Sequence, residues 1–318
     1  GIFYFDGAIT IGTIIIFQRY IGKFFDPIQE IAEQLNIVQS AAAAADKIFT
    51  LLDEPIDIKD KEDAIELTKT KGEIEFKNVW FAYEDEEWIL KDISFKVLPG
   101  QSVAFVGATG AGKTTIQNLI TRYYDIQKGE ILLDGINIRD IKVECLRKLI
   151  GQMLQDVFLF TGDVKSNIRL KNEDISDQEI INSSKYVNAD GFISKFKNGY
   201  DEEVIERGAS FSSGQRQLLS FARTLAFQPK VLILDEATAN IDTETEELIQ
   251  DALGKIMQGR TTLIVAHRLS TIQNADNIIV MHKGRIMEQG NHQQLLSQHG
   301  MYYKLYKLQY ETMEKKAN

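Results

Sequence analysis

Cysteine, proline and positive charge are all scarce in this sequence of 318 residues, which has one cysteine and four prolines. A single cysteine, Cys145, excludes an intramolecular disulfide framework and fits a reducing compartment. The 36 lysines and arginines are outnumbered by 46 aspartates and glutamates, for a formal net charge of −10. This balance argues against a nucleic-acid-binding protein, although a local basic groove is compatible with it.

A secretory signal is also missing from the sequence, which starts at Gly1 without methionine or a charged leader region. We therefore expect the chain to be a piece of a longer protein. The composition is that of a globular protein, with 44% hydrophobic and 26% charged residues. The length allows one large domain with additional material, or two domains. We find no internal repeat, and the run Ala41–Ala45 is the one low-complexity tract.

The first fifty residues have a helical pattern that differs from the rest. Residues 9–25 are apolar apart from a few positions, among them Arg19. The segment is slightly shorter than the roughly 20 residues of a membrane span, and an arginine is costly at the bilayer centre, so a buried or interfacial helix is the alternative. The pattern continues to Leu52 with only Pro27 as a breaker, which would make a helix about 65 Å long. This length favours a helix that crosses a bilayer and continues into water.

Residues 53–72 are charged and poor in large apolar side chains, which predicts an exposed linker. Two alternating segments after it predict antiparallel strands, EIEFKNVWFAY and DISFKV. Three continuous apolar runs predict strands that are buried on both faces of a parallel sheet, SVAFVG, VLILD and TTLIVAH. The segment NIIVMHKGRIMEQG predicts a closing hairpin around Lys283 and Gly284.

The stretch GATGAGKTT, residues 107–115, has the spacing of a phosphate-binding loop. It follows a predicted strand and precedes a predicted helix, as this mechanism requires. Glycines permit the backbone angles that turn successive amides toward one anion, while Lys113 reaches the β and γ phosphates and the Thr114 hydroxyl ligates Mg²⁺. The glycine spacing disfavours a dinucleotide site.

A pair of acids lies at the end of the predicted strand VLILD. Asp235 leaves the strand at its carboxyl end, where ligands bind in open α/β sheets, and is suited to hold Mg²⁺ through water. Glu236 is placed to face the γ-phosphate and polarise an attacking water. Paired acids after a strand are also common as solvated turns, but the phosphate loop strengthens the functional interpretation.

Three further residues are weaker candidates when each is taken alone. His267 follows a predicted strand and is suited to contact the γ-phosphate or the water, but such a histidine is more often structural. Gln155 follows another strand-like run and could reach Mg²⁺ and water. Tyr83 is a candidate platform for the base, with Phe81 or Trp80 as competitors, because aromatic residues in strands usually belong to the core.

The stretch FSSGQRQLLSFARTL, residues 211–225, predicts the start of a helix. Ser212 and Gln215 have the spacing of a capping box, and Leu218 and Ala222 recur at helical spacing. A helix start with small residues is also an anion site, because free amides and the helix dipole favour negative charge there. The chain thus has two candidate phosphate sites a hundred residues apart.

Together these motifs resemble, in order and spacing, the nucleotide-binding domain of ATP-binding cassette (ABC) transporters. The resemblance covers residues 73–308, and FSSGQRQ is its most specific element. Residues 7–54 also resemble the last transmembrane helix of exporters in which the membrane and ATPase domains share one chain. The resemblance implies an α/β fold of the P-loop NTPase (ABC ATPase) type, with an antiparallel β subdomain and a helical signature subdomain, preceded by one long transmembrane helix. The implied domains are 1–52, the last transmembrane helix and its cytoplasmic extension; 53–72, the linker; 73–309, the nucleotide-binding domain; and 310–318, a tail.

The resemblance also implies a role for each matching residue, with ATP and Mg²⁺ as cofactors. It implies that the signature helix caps the ATP bound to a second subunit, so that two ATP molecules lie between two cassettes, and that residues 206–208 meet the membrane domain. Catalysis is assigned to Glu236, His267 and Gln155, and Mg²⁺ to Thr114, Gln155 and Asp235. Nucleotide contacts are assigned to Tyr83, Gly107, Thr109, Gly110, Ala111, Gly112, Lys113, Thr114, Thr115, Ser212, Ser213, Gly214, Gln215 and Asp242.

The signature departs from the commonest family pattern, Leu-Ser-Gly-Gly-Gln, at Phe211 and Ser213. Because Glu236 and His267 are intact, we expect a heterodimer with a second half-transporter, in which this chain supplies competent catalytic motifs; a homodimer is the alternative. The implied function is ATP-driven export of a small molecule, lipid or peptide, with the complete protein integral to the membrane and its ATPase domain cytoplasmic. A soluble ABC-type ATPase acting on DNA or ribosomes, and the ATPase subunit of an importer, are less favoured alternatives, and no nucleic-acid partner is expected.

Overall fold

The structure of the protein is a computed structural model that describes residues 10–153, 157–205, 208–235, 243–265 and 272–308. The chain divides into two compact units, Gly1–Asp57 and Ile58–Asn318. The division falls inside the predicted linker, so most of that segment belongs to the second unit.

The first unit contains one continuous helix, α1, at Ile11–Asp53. It begins at a cap, because the Thr10 hydroxyl accepts a hydrogen bond from the Thr13 amide at 3.2 Å. Pro27 lies inside the helix, and none of the described residues of α1 is buried. The predicted long helix is therefore present. Within the described part of the chain, no helix has both the length and the hydropathy that a membrane crossing requires.

The second unit begins with an antiparallel sheet in the order β2-β1-β4-β5. Its first two strands are the predicted pair, with Phe76 opposite Phe95 and their rings stacked at 4.5 Å. The strands are β1 at Ile74–Ala82, β2 at Trp88–Val97, β4 at Lys128–Leu133 and β5 at Ile136–Asn137.

A second sheet has six strands in the order β12-β11-β3-β10-β9-β6. The three continuous apolar runs form β3, β9 and β10, which are parallel as predicted, and β6 is parallel to β9 and β11 to β3. The predicted hairpin pairs β11 with β12, and Lys283 and Gly284 both have positive φ at its turn. The strands are β3 at Ser102–Val106, β6 at Ile150–Met153, β9 at Val231–Asp235, β10 at Thr261–Val265, β11 at Asn277–His282 and β12 at Arg285–Gly290.

This six-stranded sheet separates two hydrophobic cores. Alternate residues of one strand face opposite cores: Ala104 and Val106 join the first, while Val103 and Phe105 join the second. The first core is completed by helices α4 to α9, and the second by the antiparallel sheet with α2 and α3. The helices are α2 at Lys113–Ile120, α3 at Val143–Leu149, α4 at Val164–Arg169, α5 at Asp177–Tyr186, α6 at Asp190–Ile193, α7 at Ser213–Ala226, α8 at Thr243–Met257 and α9 at His292–Ser297, and a short pair joins β7 at Gly162–Asp163 to β8 at Glu203–Val204.

Residues 58–72 are fastened to the second unit at several points. Ile65 forms a parallel bridge with Ile141. Asp134 accepts hydrogen bonds from the Thr70 hydroxyl at 2.6 Å and from the Lys71 amide at 2.7 Å. Burial alone would raise the pKa of Asp134, but these hydrogen bonds outweigh it and hold the pKa below its ordinary value. Residues 58–72 are therefore bound to the rest of the second unit and do not form a detached linker.

Candidate nucleotide site

The predicted phosphate loop connects β3 to α2 at an interior position of the six-stranded sheet. β3 ends at Val106, and α2 begins at Lys113. Because β3 pairs with β10 on one side and β11 on the other, the loop emerges among the carboxyl ends of parallel strands. This edge is where ligands bind in open α/β sheets.

Two glycines of the loop lie where a larger residue does not fit. A Cβ added to Gly107 would stand 2.3 Å from the Met281 carbonyl oxygen. Gly112 has a φ of +103°, and a Cβ there would stand 2.6 Å from Leu90 Cδ2. These positions explain the glycines by backbone conformation and close packing, as the motif predicts.

The N-terminus of α2 is not capped by a side chain, since Gly112 occupies the cap position. The first amides of a helix have no intrahelical acceptor, so they are available to an anion. Lys113 is 7% exposed, and its ammonium donates to the carbonyl oxygens of Gly107 at 2.8 Å and Ala108 at 3.1 Å. Burial lowers the pKa of Lys113, and the charge of Asp235 partly opposes this. The loop therefore gathers amides and a partly desolvated cation.

The two threonines after Lys113 have different surroundings. Thr114 is exposed in the first turn of α2, whereas Thr115 is 5% exposed. The Thr115 hydroxyl lies 3.2 Å from the hydroxyl of Tyr83. In the loop itself, Thr109 and Gly110 are exposed and Ala111 is buried. An exposed hydroxyl beside the loop suits a metal ligand, as proposed for Thr114.

Asp235 is the last residue of β9, which β10 separates from β3 in the sheet. It is half-buried and is in register with Val265 of β10. Gln117 of α2 donates to the Leu234 carbonyl oxygen at 3.5 Å, which joins this strand end to the phosphate-loop helix. The carboxylate is close enough to Lys113 for its charge to affect the lysine pKa. The structure thus brings Asp235 to the same edge as the loop.

Tyr83 directly follows β1 and is 46% exposed. Its ring contacts those of Phe81 at 4.8 Å and Tyr124 at 5.0 Å, both edge to face. Of the two competing aromatic residues, Phe81 is 2% exposed and so belongs to the core. Trp80 is half-buried and lies in a separate cluster with Trp88. Tyr83 is therefore the aromatic residue that contacts α2 through its hydroxyl.

Several predicted site residues lie outside the described ranges: Gln155, Glu206, Arg207, Glu236, Asp242 and His267. The described strands nevertheless end close to three of them in sequence. β6 ends at Met153, β9 at Asp235 and β10 at Val265, and these strands are parallel to β3 or to its neighbours. The roles of these residues stay predictions.

The signature stretch begins α7 with the predicted capping box. The Gln215 amide donates to the Ser212 hydroxyl at 3.2 Å, and the Ser212 amide donates to the Gln215 side chain at 2.9 Å. Ser212 and Ser213 are exposed, while Gly214 is buried. Phe211 is 4% exposed and packs on Phe196 at 5.4 Å, so this departure from the family pattern fills the core.

One residue beside the predicted site, Gln127, was not predicted from the sequence. Gln127 exchanges two side-chain hydrogen bonds with the backbone of Ala82, the residue before Tyr83. No local pattern marks a glutamine for this contact, because its partner lies 45 residues away in the sequence.

Comparison with known proteins identifies the fold's family. Residues 90–239 match the family model described as "ABC transporter". The chain is 49% identical over 309 residues to a putative ABC transporter ATP-binding protein, exp8, of Streptococcus pneumoniae serotype 4, covering 97% of this chain and 53% of that protein. It is 43% identical over 305 residues to an ATP-dependent lipid A-core flippase of Syntrophus aciditrophicus, covering 96% and 51%.

A solved structure is also similar to this chain. It is a bacterial Atm1-family ABC exporter with ATP bound, at 35% identity and a TM-score of 0.77, covering 95% of this chain and 53% of the other. The chain therefore spans about half the length of the relatives that it matches. On these grounds the chain belongs to the ABC transporter family and carries its ATPase domain.

Proposed function

We propose that the chain is the ATP-binding and hydrolysing part of an ABC exporter, in which ATP-driven dimerisation of two nucleotide-binding domains is coupled to export. The observation that carries this proposal is the uncapped start of α2, with Lys113 buried beneath the loop. Among the described residues, the hydrogen bonds of this buried ammonium go to loop carbonyl oxygens, and it gains stronger, charged partners when a triphosphate arrives. The family match over residues 90–239 supports the same conclusion.

In this proposal the loop residues and Lys113 bind the β and γ phosphates of ATP. Bound Mg²⁺ would neutralise charge on the phosphate oxygens. The exposed hydroxyl of Thr114 and the carboxylate of Asp235 fit a hard cation, since oxygen ligands are what Mg²⁺ prefers, and Gln155 is the third proposed ligand. The chain's residues orient the phosphates and hold their charge, while water is the nucleophile.

Glu236, which follows Asp235 directly in the sequence, is proposed to accept the proton of the attacking water. His267, two residues after β10, is proposed to contact the γ-phosphate, and Asp242 to communicate between two sites. Thr115 is placed beside the phosphates, and Tyr83 beside the base. The assignments of Glu236 and His267 rest on their positions in the sequence, just after the described strands β9 and β10.

A second cassette is proposed to bind across this site. The start of α7 is exposed at Ser212 and Ser213, so it is accessible to a partner's phosphate. The side chain of Ser213 occupies a position where the family's commonest signature has glycine, which hinders close backbone approach. We therefore favour a heterodimer, in which this chain supplies the competent catalytic motifs and its own signature caps a weaker site.

The proposed membrane role rests on α1 and on the relatives. Large apolar side chains along α1 are exposed, including Phe17 at 67% and Phe24 at 68%, and such a surface marks a site covered by a bilayer or a protein. One relative is named as a lipid A-core flippase and the solved neighbour as an exporter. The proposed cargo is a small molecule, lipid or peptide, and the ATPase domain is proposed to lie in the cytoplasm.

The catalytic proposal is tested with Glu236→Gln in the full-length protein. We expect ATP binding to persist while hydrolysis stalls, because the amide cannot accept the water proton, so a nucleotide-locked dimer accumulates. Phosphate release and size-exclusion chromatography measure the two effects. Glu247→Gln on α8 is the control, and wild-type turnover by Glu236→Gln would remove Glu236 from this role.

The heterodimer is tested by purifying the full-length protein without any second half-transporter. We expect weak, non-cooperative ATPase activity, and a rise in activity for Ser213→Gly, which removes the side chain from the signature. Full cooperative activity of the unmodified protein alone would instead establish the homodimer.

A further inference from the structure

The loop that carries Tyr83 is held by a glutamine from a different strand connection. Gln127 precedes β4, and its side-chain amide donates to the Ala82 carbonyl oxygen at 2.8 Å. The Ala82 amide donates in return to the Gln127 side-chain oxygen at 3.1 Å. This reciprocal pair imitates the hydrogen bonding of a neighbouring strand, but it is made by a side chain.

The backbone hydrogen-bond ladder between β1 and β4 stops just before this pair. The last paired residues of β1 and β4 are Trp80 and Lys128, and the Gln127 amide donates to the Trp80 carbonyl oxygen at 3.3 Å. Gln127 therefore extends the pairing of β1 by two residues, up to the residue that precedes Tyr83. Ala82 is also opposite Trp88 of β2, so Gln127 fixes the edge of β1 that faces β4.

The residues that follow Tyr83 form the exposed turn between β1 and β2. Glu84, Asp85, Glu86 and Glu87 are four consecutive acids, and all are exposed. Backbone hydrogen bonds close this turn, from the Glu87 amide to the Glu84 carbonyl oxygen at 3.1 Å and from the Trp88 amide to the Glu86 carbonyl oxygen at 2.9 Å. Tyr83 lies before these bonds, so its restraint comes from Ala82 and from the groups around the ring.

Those groups hold the ring at three points. Its hydroxyl lies 3.2 Å from the Thr115 hydroxyl of α2, and it packs edge to face with the rings of Phe81 and Tyr124. Phe81 is a fixed reference, since it is buried in the core. With 46% of Tyr83 still exposed, the ring keeps an open surface beside the phosphate-loop helix.

We infer that Gln127 is a positioning residue for nucleobase binding, because it aligns the backbone that presents Tyr83 to the base. This inference rests on the proposed role of Tyr83 in binding ATP. Within the described part of the chain, the hydrogen bonds of Gln127 go to Trp80 and Ala82 and to no residue proposed to bind phosphate or Mg²⁺, so we expect its effect to be confined to the base end of the nucleotide. Pre-ordering a flat aromatic surface reduces the entropy that binding must otherwise offset.

The test compares ATP with inorganic tripolyphosphate, which has phosphates but no base, as substrate and competitor of the full-length protein. For Gln127→Ala we expect the KM for ATP to rise about threefold to tenfold, the range that corresponds to ordering one side chain and its loop. The kcat and the inhibition constant of tripolyphosphate should stay unchanged. A purely structural role of Gln127 would change the KM for ATP and the inhibition constant of tripolyphosphate alike.

Two further variants keep the test decisive. Gln127→Glu retains the acceptor for the Ala82 amide but loses the donor, so an intermediate KM is expected even if the alanine variant folds poorly. Gln101→Ala is the matched control, because Gln101 also accepts a backbone hydrogen bond, from Leu98 at 3.0 Å, in a different turn. It should leave the KM for ATP unchanged.

The variant Tyr83→Ala tests the proposed role of Tyr83 separately from that of Gln127. If it leaves the preference for ATP over tripolyphosphate unchanged, the proposed role of Tyr83 is wrong, and the inference about Gln127 falls with it. If Tyr83→Ala removes the preference while Gln127→Ala and Gln127→Glu retain it, Tyr83 binds the base and Gln127 does not position it.

Discussion

The two helix starts proposed to bind phosphate, those of α2 and α7, are built in opposite ways. The α2 start has Gly112 at its cap position and no side-chain cap, and a buried lysine follows. The α7 start has a complete capping box from Ser212 and Gln215, and its first residues are exposed. The first therefore depends on a ligand to satisfy its amides, whereas the second is stable before any ligand arrives.

This difference matches a division of labour between two sites. The first site is proposed to bind the nucleotide of its own chain, so the amides at the start of α2 can be left for the phosphates. A surface that meets a partner's phosphate only in the closed dimer must keep its conformation in the open state as well. In the proposed function ATP binds preferentially to the closed pair, so it would shift the equilibrium toward that state.

The largest expected effect comes from removing the cation of the first site. Lys113→Ala should weaken ATP binding about tenfold to a hundredfold, since a hydrogen bond to a charged group contributes about 1.5–3 kcal/mol. Nucleotide titration of the full-length protein measures it. Lys148→Ala is the control, because that lysine pairs with Glu144 on the exposed surface of α3. Unaltered ATP affinity in Lys113→Ala would contradict the cradle.

The backbone of the same site gives the next effect. Gly112→Ala should destabilise the protein by about 1–2 kcal/mol for the left-handed conformation alone, and further because the new Cβ meets Leu90. Gly135→Ala, also at a positive φ but with nothing within 4 Å of its Cβ, reports the backbone cost by itself. Thermal unfolding with and without ATP compares the two. Equal losses would show that close packing at Gly112 is unimportant.

A smaller effect is expected at the second helix start. Ser212→Ala should destabilise α7 by about 1 kcal/mol through the lost cap, while ATP affinity at the chain's own loop stays the same. Ser176→Ala is matched to it, since Ser176 forms the same capping box with Glu179 at α5. Both variants should lower the unfolding temperature alike, but only Ser212→Ala should impair ATP-driven dimerisation. If Ser176→Ala impairs it equally, the effect is one of stability.

The smallest effect is a pH dependence that belongs to the first site only. Burial lowers the pKa of Lys113, and a bound triphosphate would raise it again, so ATP binding takes up a proton at alkaline pH. ATP affinity should therefore fall as the pH rises through the lowered lysine pKa. Titrations over a series of alkaline pH values measure the slope. The slope should persist in Lys148→Ala and vanish in Lys113→Ala.

Much of the fold was predictable because its signals are local. Continuous apolar runs predicted β3, β9 and β10, and the spacing of Ser212 and Gln215 predicted a capping box that the structure contains. The segment 53–72 was harder. Its composition predicts an exposed linker, yet Asp134 holds Thr70 across 64 positions of the chain, a contact that no local pattern reports.

The sequence by itself determined the phosphate loop, the order of its motifs and the start of the signature helix, because each depends on residues a few positions apart. Only the tertiary structure decided which aromatic residue stands beside α2, and that Gln127 and Ala82 meet across 45 positions. Such contacts depend on how strands are ordered in the sheets, and strand order is set by the packing of the whole domain rather than by any one segment.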